Sequence, residues 1–168
     1  THDGISTLRK LHVLRKLNIA AGTLSLGPNS AELIVDGNAS VTGTLKYNDG
    51  TTTQVSSIAG NLSGSGTIDM SGGNLPHLLN LTGPLNAIGT FITSPNSAST
   101  VDYNGTNQQV FPTFNYRNLT ISNSGIKTLQ GNSTVGKDLS ISGGTFDLGS
   151  TSALDVIGKS DITGKLNF

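Results

Sequence analysis

Leu17-Asn18-Ile19-Ala20-Ala21-Gly22-Thr23-Leu24-Ser25-Leu26-Gly27 returns later in the chain as Leu139-Ser140-Ile141-Ser142-Gly143-Gly144-Thr145-Phe146-Asp147-Leu148-Gly149. The offset, Gly22 to Gly144, is 122 residues. One deleted residue later the match resumes, pairing Leu33 with Leu154, Val35 with Val156, Val41 with Ile162, Leu45 with Leu166 and Tyr47 with Phe168. Residues 1–47 and 122–168 therefore read as equivalent parts of successive long repeats. All 168 residues read as one segment. A fixed period argues for a solenoid or tandem array.

A shorter period runs inside the long one. Gly-Thr followed by an apolar residue occurs at Gly22-Thr23-Leu24, Gly43-Thr44-Leu45, Gly66-Thr67-Ile68, Gly89-Thr90-Phe91 and Gly144-Thr145-Phe146. Looser versions stand at Gly105, Gly125 and Gly164. The mean step is about 20 residues, too short for a helix pair and right for one coil of a β-solenoid. Leu17-Asn18-Ile19, Thr44-Leu45-Lys46-Tyr47, Leu119-Thr120-Ile121 and Leu139-Ser140-Ile141 alternate apolar with polar, which marks short strands with one buried face. Asp36-Gly37-Asn38, Asn48-Asp49-Gly50 and Ser71-Gly72-Gly73-Asn74 read as corners. Thr7 to Leu17 has a helical spacing of leucines. Its match to residues 128–139, which lack that spacing, makes it strand–turn–strand. Residues 94–118 are the least regular and are expected to hold an irregular coil or loop. The expected fold is all-β, a right-handed parallel β-helix (β-solenoid) of about eight coils with a period near 20 residues.

Composition narrows the function. The chain holds 22 Gly, no Cys and 12% charged residues, with ten bases against ten acids. The absence of Cys excludes a disulfide framework and thiolate metal sites. Zero net charge gives no reason to expect nucleic acid as a partner. No run approaches 18 apolar residues, so no membrane insertion is expected. Arg9, Lys10, Arg15 and Lys16 form a basic cluster that reads as a solvated face.

The succession Tyr103-Asn104-Gly105-Thr106-Asn107-Gln108-Gln109-Val110, Tyr116-Arg117-Asn118-Leu119-Thr120-Ile121-Ser122, Gly125-Ile126-Lys127-Thr128-Leu129, Val135-Gly136-Lys137-Asp138-Leu139 and Gly144-Thr145-Phe146-Asp147-Leu148 resembles the repeats of very large bacterial surface and secreted β-solenoid adhesins. These include autotransporter-type passengers and the giant repeat proteins of Bacteroidetes-like bacteria. The resemblance covers residues 100–168 directly and 1–48 through the internal match. It implies an exported fibre at the cell surface. It maps no catalytic residue and no cofactor onto this chain.

The polar residues are compatible with three chemistries. Stacked at about 4.8 Å, Thr23, Thr44, Thr67, Thr90 and Thr145 would form a Thr ladder of the kind that binds ice. The residues two places on (Ser25, Lys46, Asp69, Ile92 and Asp147) break the flat face, so a structural ladder of β-branched residues is the expectation. The apolar residues between them (Leu24, Leu45, Ile68, Phe91 and Phe146) are expected to stack as one buried column. Six Asn-x-Ser/Thr sequons, at Asn38, Asn61, Asn80, Asn104, Asn118 and Asn132, are glycosylation acceptors in a host that modifies exported chains, or corner residues by composition. A polysaccharide-cleaving enzyme needs carboxylates converging on one cleft. The acids here are spread out, although Asp69 and Asp147 share a position after their Gly. His2, His12 and His77 lack metal-ligand spacing.

The sequence thus points to a non-enzymatic, extracellular repeat segment of a surface fibre or adhesin that spans distance and presents a binding surface. Its expected partners are neighbouring repeats or subunits, end to end, and surface glycans or other cell-surface ligands. The alternatives are a head-to-tail filament subunit, an ice-binding solenoid, and a carbohydrate-binding or carbohydrate-cleaving β-helix.

Overall fold

The structure is a computed structural model that describes residues 10–27, 32–48, 51–113 and 115–168. The chain winds through successive coils of short strands. The first coil holds β1 (Lys10–Val13), β2 (Leu17–Ile19) and β3 (Thr23–Leu26). The second holds β4 (Glu32–Val35), β5 (Ala39–Val41) and β6 (Thr44–Tyr47). The third holds β7 (Val55–Ile58), β8 (Leu62–Ser63) and β9 (Thr67–Met70), followed by a single 3-10 turn at Gly72–Asn74. The fourth holds β10 (Leu78–Leu81) and β11 (Thr90–Thr93); the fifth, β12 (Thr100–Tyr103) and β13 (Gln108–Val110). The sixth holds β14 (Asn118–Ile121), β15 (Ile126–Leu129) and β16 (Ser133–Val135). The seventh holds β17 (Leu139–Ile141), β18 (Thr145–Asp147) and β19 (Leu154–Val156), and β20 (Ser160–Ile162) and β21 (Lys165–Asn167) begin the next.

The described strands all pair in parallel, each with its counterpart one coil away. This is a parallel β-solenoid. One face is continuous, eight strands in the order β1-β4-β7-β10-β12-β14-β17-β20. The steps along it, Lys10 to Glu32, Val55, Leu78, Thr100 and Asn118, are 22, 23, 23, 22 and 18 residues. The chain makes about seven turns with a period near 22, slightly longer than the sequence period.

The other two faces are each interrupted. The second runs β2-β5-β8 and resumes as β13-β15-β18-β21; the third runs β3-β6-β9-β11 and resumes as β16-β19. Pro84 lies in the first gap. It has no N–H to give, so a full ladder cannot pass there. A single bridge, Leu62 with Asn86, and the Gln109 N–H donated to Pro84 O at 2.8 Å carry the second face across.

This interruption explains the period. Gly22, Gly43, Gly66 and Gly89 lead into third-face strands, whereas Gly105, Gly125, Gly144 and Gly164 lead into second-face strands. The short interval between Gly89 and Gly105 is the marker changing face. The long repeat is displaced in the same way: Leu17–Ile19 lies on the second face and Leu139–Ile141 on the first. The two sequence copies are alike as strand–corner–strand units, and their offset is not a whole number of turns.

Alternation sends every second residue inward. Val13, Val35, Ile58, Leu81, Tyr103, Ile121, Ile141 and Ile162 follow one another in register down the first face. The helical spacing near Leu11 is overridden as expected: Lys10–Val13 and Leu17–Ile19 are strands, while Thr7–Arg9 lies outside the described residues. Of the stretch 94–118, Thr100–Tyr103 joins the continuous face as β12 and Gln108–Val110 joins the second face as β13. Residues 94–99, the corner 104–107 and residues 111–113 lie outside the strands, and the step from Thr100 to Asn118 shortens to 18 residues.

Corners need another device, because the ladder stops there and each N–H still needs an acceptor. Asx side chains supply it from the preceding coil. Asn38 Oδ1 accepts from the Asn61 N–H at 2.9 Å, and Asn61 Oδ1 from the Leu85 N–H at 3.1 Å. Asn118 Oδ1 accepts from the Asp138 N–H at 3.2 Å, and Asp138 Oδ1 from the Lys159 N–H at 3.1 Å. Glycine serves the corner before the third face by its lack of bulk. A Cβ at position 66 would lie 2.2 Å from Gly43 O, and one at position 43 would lie 2.5 Å from Gly22 O.

Candidate functional site

The third face carries the Thr ladder. Thr23, Thr44, Thr67 and Thr90 are direct register partners, and so are Leu24, Leu45, Ile68 and Phe91 one place inward. Leu45 and Ile68 are fully buried. Thr145 and Phe146 are not in these columns. Both lie on the second face, where Thr145 pairs with Ile126 and Lys165, and Phe146 with Lys127 and Leu166. The cause is the change of face between Gly89 and Gly105. Beside the Thr ladder runs the column Ser25, Lys46, Asp69 and Ile92. It mixes hydroxyl, cation, anion and apolar groups, so the third face offers no uniform second row. Asp69 and Asp147 fall on different faces and share no cleft.

The sequon asparagines are corner and strand partners. Besides Asn38, Asn61 and Asn118, Asn132 Oδ1 accepts from the Ala153 N–H at 2.9 Å, Asn104 Oδ1 from Thr82 Oγ1 at 2.7 Å, and Asn80 Nδ2 donates to Ser57 Oγ at 3.2 Å. Asn118 Nδ2 also donates to Ala98 O at 2.8 Å. Its carboxamide is therefore used at both ends.

The interior holds polar groups that alternation alone does not announce. Lys127 takes an inward position on β15, between Gln108 and Phe146. Its Nζ donates to Ser124 O at 2.6 Å and Asn123 O at 3.2 Å, so the ammonium is spent on corner carbonyls. Burial pulls its pKa down, and the nearby Asp102 carboxylate pushes it back up. Burial likewise raises the Asp102 pKa, against the Ser122 hydroxyl that donates to it at 2.8 Å. The only sequence signal for Lys127 is a charged residue standing where Phe146 and Val110-type residues face inward.

His77 is buried at the corner before β10. It accepts the Gln54 N–H at Nδ1 (3.2 Å), which fixes Nε2–H as the donor to Gly72 O (2.8 Å). Burial lowers its pKa. Its ring lies 5.3 Å from that of Tyr47. Tyr47 Oη and Ser56 Oγ are both buried without a hydrogen-bond partner, although the serine lies near enough to temper the rise that burial imposes on the tyrosine pKa. Tyr103 Oη and Tyr116 Oη are 2.8 Å apart, and burial pushes the Tyr103 pKa up to about 12.

At the surface, His12 Nε2 lies 2.9 Å from both carboxylate oxygens of Asp36, and Lys10 Nζ lies 3.4 Å from Glu32. These exposed cross-coil pairs contribute little to stability. Among the described residues no cluster of three or more His, Asp or Glu could hold a metal. The interior void between Leu62, Ile68, Phe91 and Tyr103 measures about 10 Å³, no more than one water could fill. On the second face two shallow troughs of about 340 and 530 Å³ meet at Leu85 and Gln109, with Ser40, Ser63 and Thr128 along them. No described helix is long and apolar enough to cross a membrane.

The fold defines a class, the parallel β-solenoid. Comparison with family models, curated proteins and solved structures gives no match to this chain.

Proposed function

We propose that this chain is a structural repeat segment of an extracellular surface fibre or adhesin, without enzymatic activity. The observation that carries the reading is the uninterrupted eight-strand face, about 34 Å of stacked hydrogen bonds. Such an array transmits length and rigidity along one axis, and each added coil extends it. Its side faces are rich in Ser, Thr and Asn, which suits a surface that stays soluble while presenting contacts. Low charge and the absence of Cys accord with an exported β-rich chain.

Neighbouring coils, in the same polypeptide or in a second subunit, are the partners proposed at the ends. β20 and β21 are each paired on one side only, and Ile162, which continues an inward column, is 43% exposed. A further coil would pair those edge groups. Glycans or other cell-surface ligands are proposed to meet the side faces.

The test is protease shaving of intact source cells, with detection of peptides from this segment. Release from intact cells supports the reading. Retention until the cells are lysed overturns it.

A further inference from the structure

Asn104-Gly105 is the one Asn-Gly dipeptide in the chain. This dipeptide is chemically labile, because a following glycine leaves its backbone N–H unhindered. The Gly105 nitrogen gives up its proton and attacks Asn104 Cγ. The new N–Cγ bond closes a succinimide, the Cγ–Nδ2 bond breaks and ammonia leaves. Water then opens the ring at either carbonyl, to aspartate or to isoaspartate. No oxidant, reductant or enzyme is needed.

The fold imposes both residues. A Cβ at position 105 would lie 2.1 Å from Thr82 O, so only glycine fits. Asn104 joins three coils: its N–H donates to Leu81 O at 3.0 Å, its Oδ1 accepts from Thr82 Oγ1 at 2.7 Å, and its backbone O accepts from Asn123 Nδ2 at 3.1 Å. A labile dipeptide therefore stands at a corner where neither residue is easily exchanged.

Gln108 meets that lability. It is 4% exposed, an unusual place for glutamine. Its Oε1 accepts the Gly105 N–H at 2.7 Å, and its Nε2 donates to Leu81 O at 2.8 Å and Gly83 O at 2.9 Å. The carboxamide is pinned at three points, and one of them is the nucleophilic nitrogen. We propose that Asn104-Gly105 is a latent site of spontaneous deamidation, and that Gln108 is the positioning residue that keeps it closed while the fifth coil is folded. The Gly105 nitrogen is held toward Gln108, and the Asn104 carboxamide is held toward Thr82. Opening of this coil releases both. An isoaspartate would then add a main-chain atom at the corner, and β12 and β13 could not both return to register.

The experiment incubates the whole chain in mildly alkaline buffer and follows Asn104 by peptide mapping, with isoaspartate detected separately. The folded chain is expected to convert at least about fivefold more slowly than the same chain in denaturant, the factor represented by one buried hydrogen bond of ordinary strength. Gln108→Met should accelerate conversion in the folded state by a similar factor. Leu45→Ala, which destabilises the core among the first three coils, where Leu45 partners Leu24 and Ile68, separates loss of the guard from general loosening: its Asn104 should stay slow. If Gln108→Met does not fold, Thr82→Val, which frees the Asn104 carboxamide, takes its place. A folded chain that deamidates as fast as the denatured one, or a Gln108→Met protein no faster than Leu45→Ala, overturns the proposal.

Discussion

Replacing Gly66 by Ala should break the contact between the second and third coils. The Cβ would stand 2.2 Å from Gly43 O, where ordinary contact begins at 3.4 Å. The coils must part by more than an ångström, or the corner must rotate. The Gly43 oxygen accepts from the Thr67 N–H at 2.9 Å, and the Gly66 N–H donates to Val41 O at 2.9 Å. Both bonds lie in the path of that movement. Two backbone hydrogen bonds at about 1 kcal/mol each, with about 1–3 kcal/mol of overpacking, give a loss of about 3–5 kcal/mol. Gly27→Ala is the control, since a Cβ there meets nothing within 4 Å and its φ is ordinary. It should change stability by about 0.5 kcal/mol or less. Guanidinium titration of both variants measures the difference, and amide exchange at Thr67 locates it. Equal midpoints for the two variants would refute the argument that the corner glycines are set by close approach.

Three further outcomes are expected. His77 is held neutral by burial, with its pKa below the ordinary 6.5 of a histidine; the unfolded chain then binds more protons just below that value, so stability should fall as pH drops from 6.5 toward the folded pKa, and His77→Gln should flatten that slope in acid titrations. Tyr103, pushed up to about 12, stays protonated where the unfolded tyrosine ionises near 10.0, so stability should decline above pH 10, and tyrosinate absorbance should rise together with loss of β-structure; a tyrosinate signal preceding unfolding would contradict the burial. Because Lys46 and Asp69 interrupt the column beside the Thr ladder, the chain should show no thermal hysteresis at micromolar concentration, and a freezing gap abolished by Thr44→Tyr would reverse that reading.

The solenoid was legible because its signals are local. Period-two alternation at Leu17-Asn18-Ile19 and a Gly-Thr at the corner are properties of neighbours in the chain, and four of the five expected Thr partners are in register. Which face a strand joins is not local. Gly89-Thr90-Phe91 and Gly144-Thr145-Phe146 read alike, yet the first enters a third-face strand and the second a second-face strand, because the marker changes face between Gly89 and Gly105. The interior of Lys127 and Gln108 was hidden for a related reason. Their polar ends satisfy corner carbonyls and N–H groups that lie three or four residues away or one coil back, and a pattern of apolar and polar letters does not record which backbone groups lack partners. His77 was visible as a histidine without ligand spacing, but its role between Gln54 and Gly72 depends on two coils meeting.

The split of the second and third faces divides the molecule into two blocks with a seam near Pro84. Among the described strands, only the first face carries an unbroken ladder across that seam. A bending load therefore finds a stiff spine on one side and compliant flanks on the other two. Flexure is therefore expected to favour one plane, at the fourth and fifth coils, where the flanking ladders are interrupted. Coils stacked on this plan should bend most readily where the two flanks lack ladders, the second face around Pro84 and the third between Thr93 and Ser133.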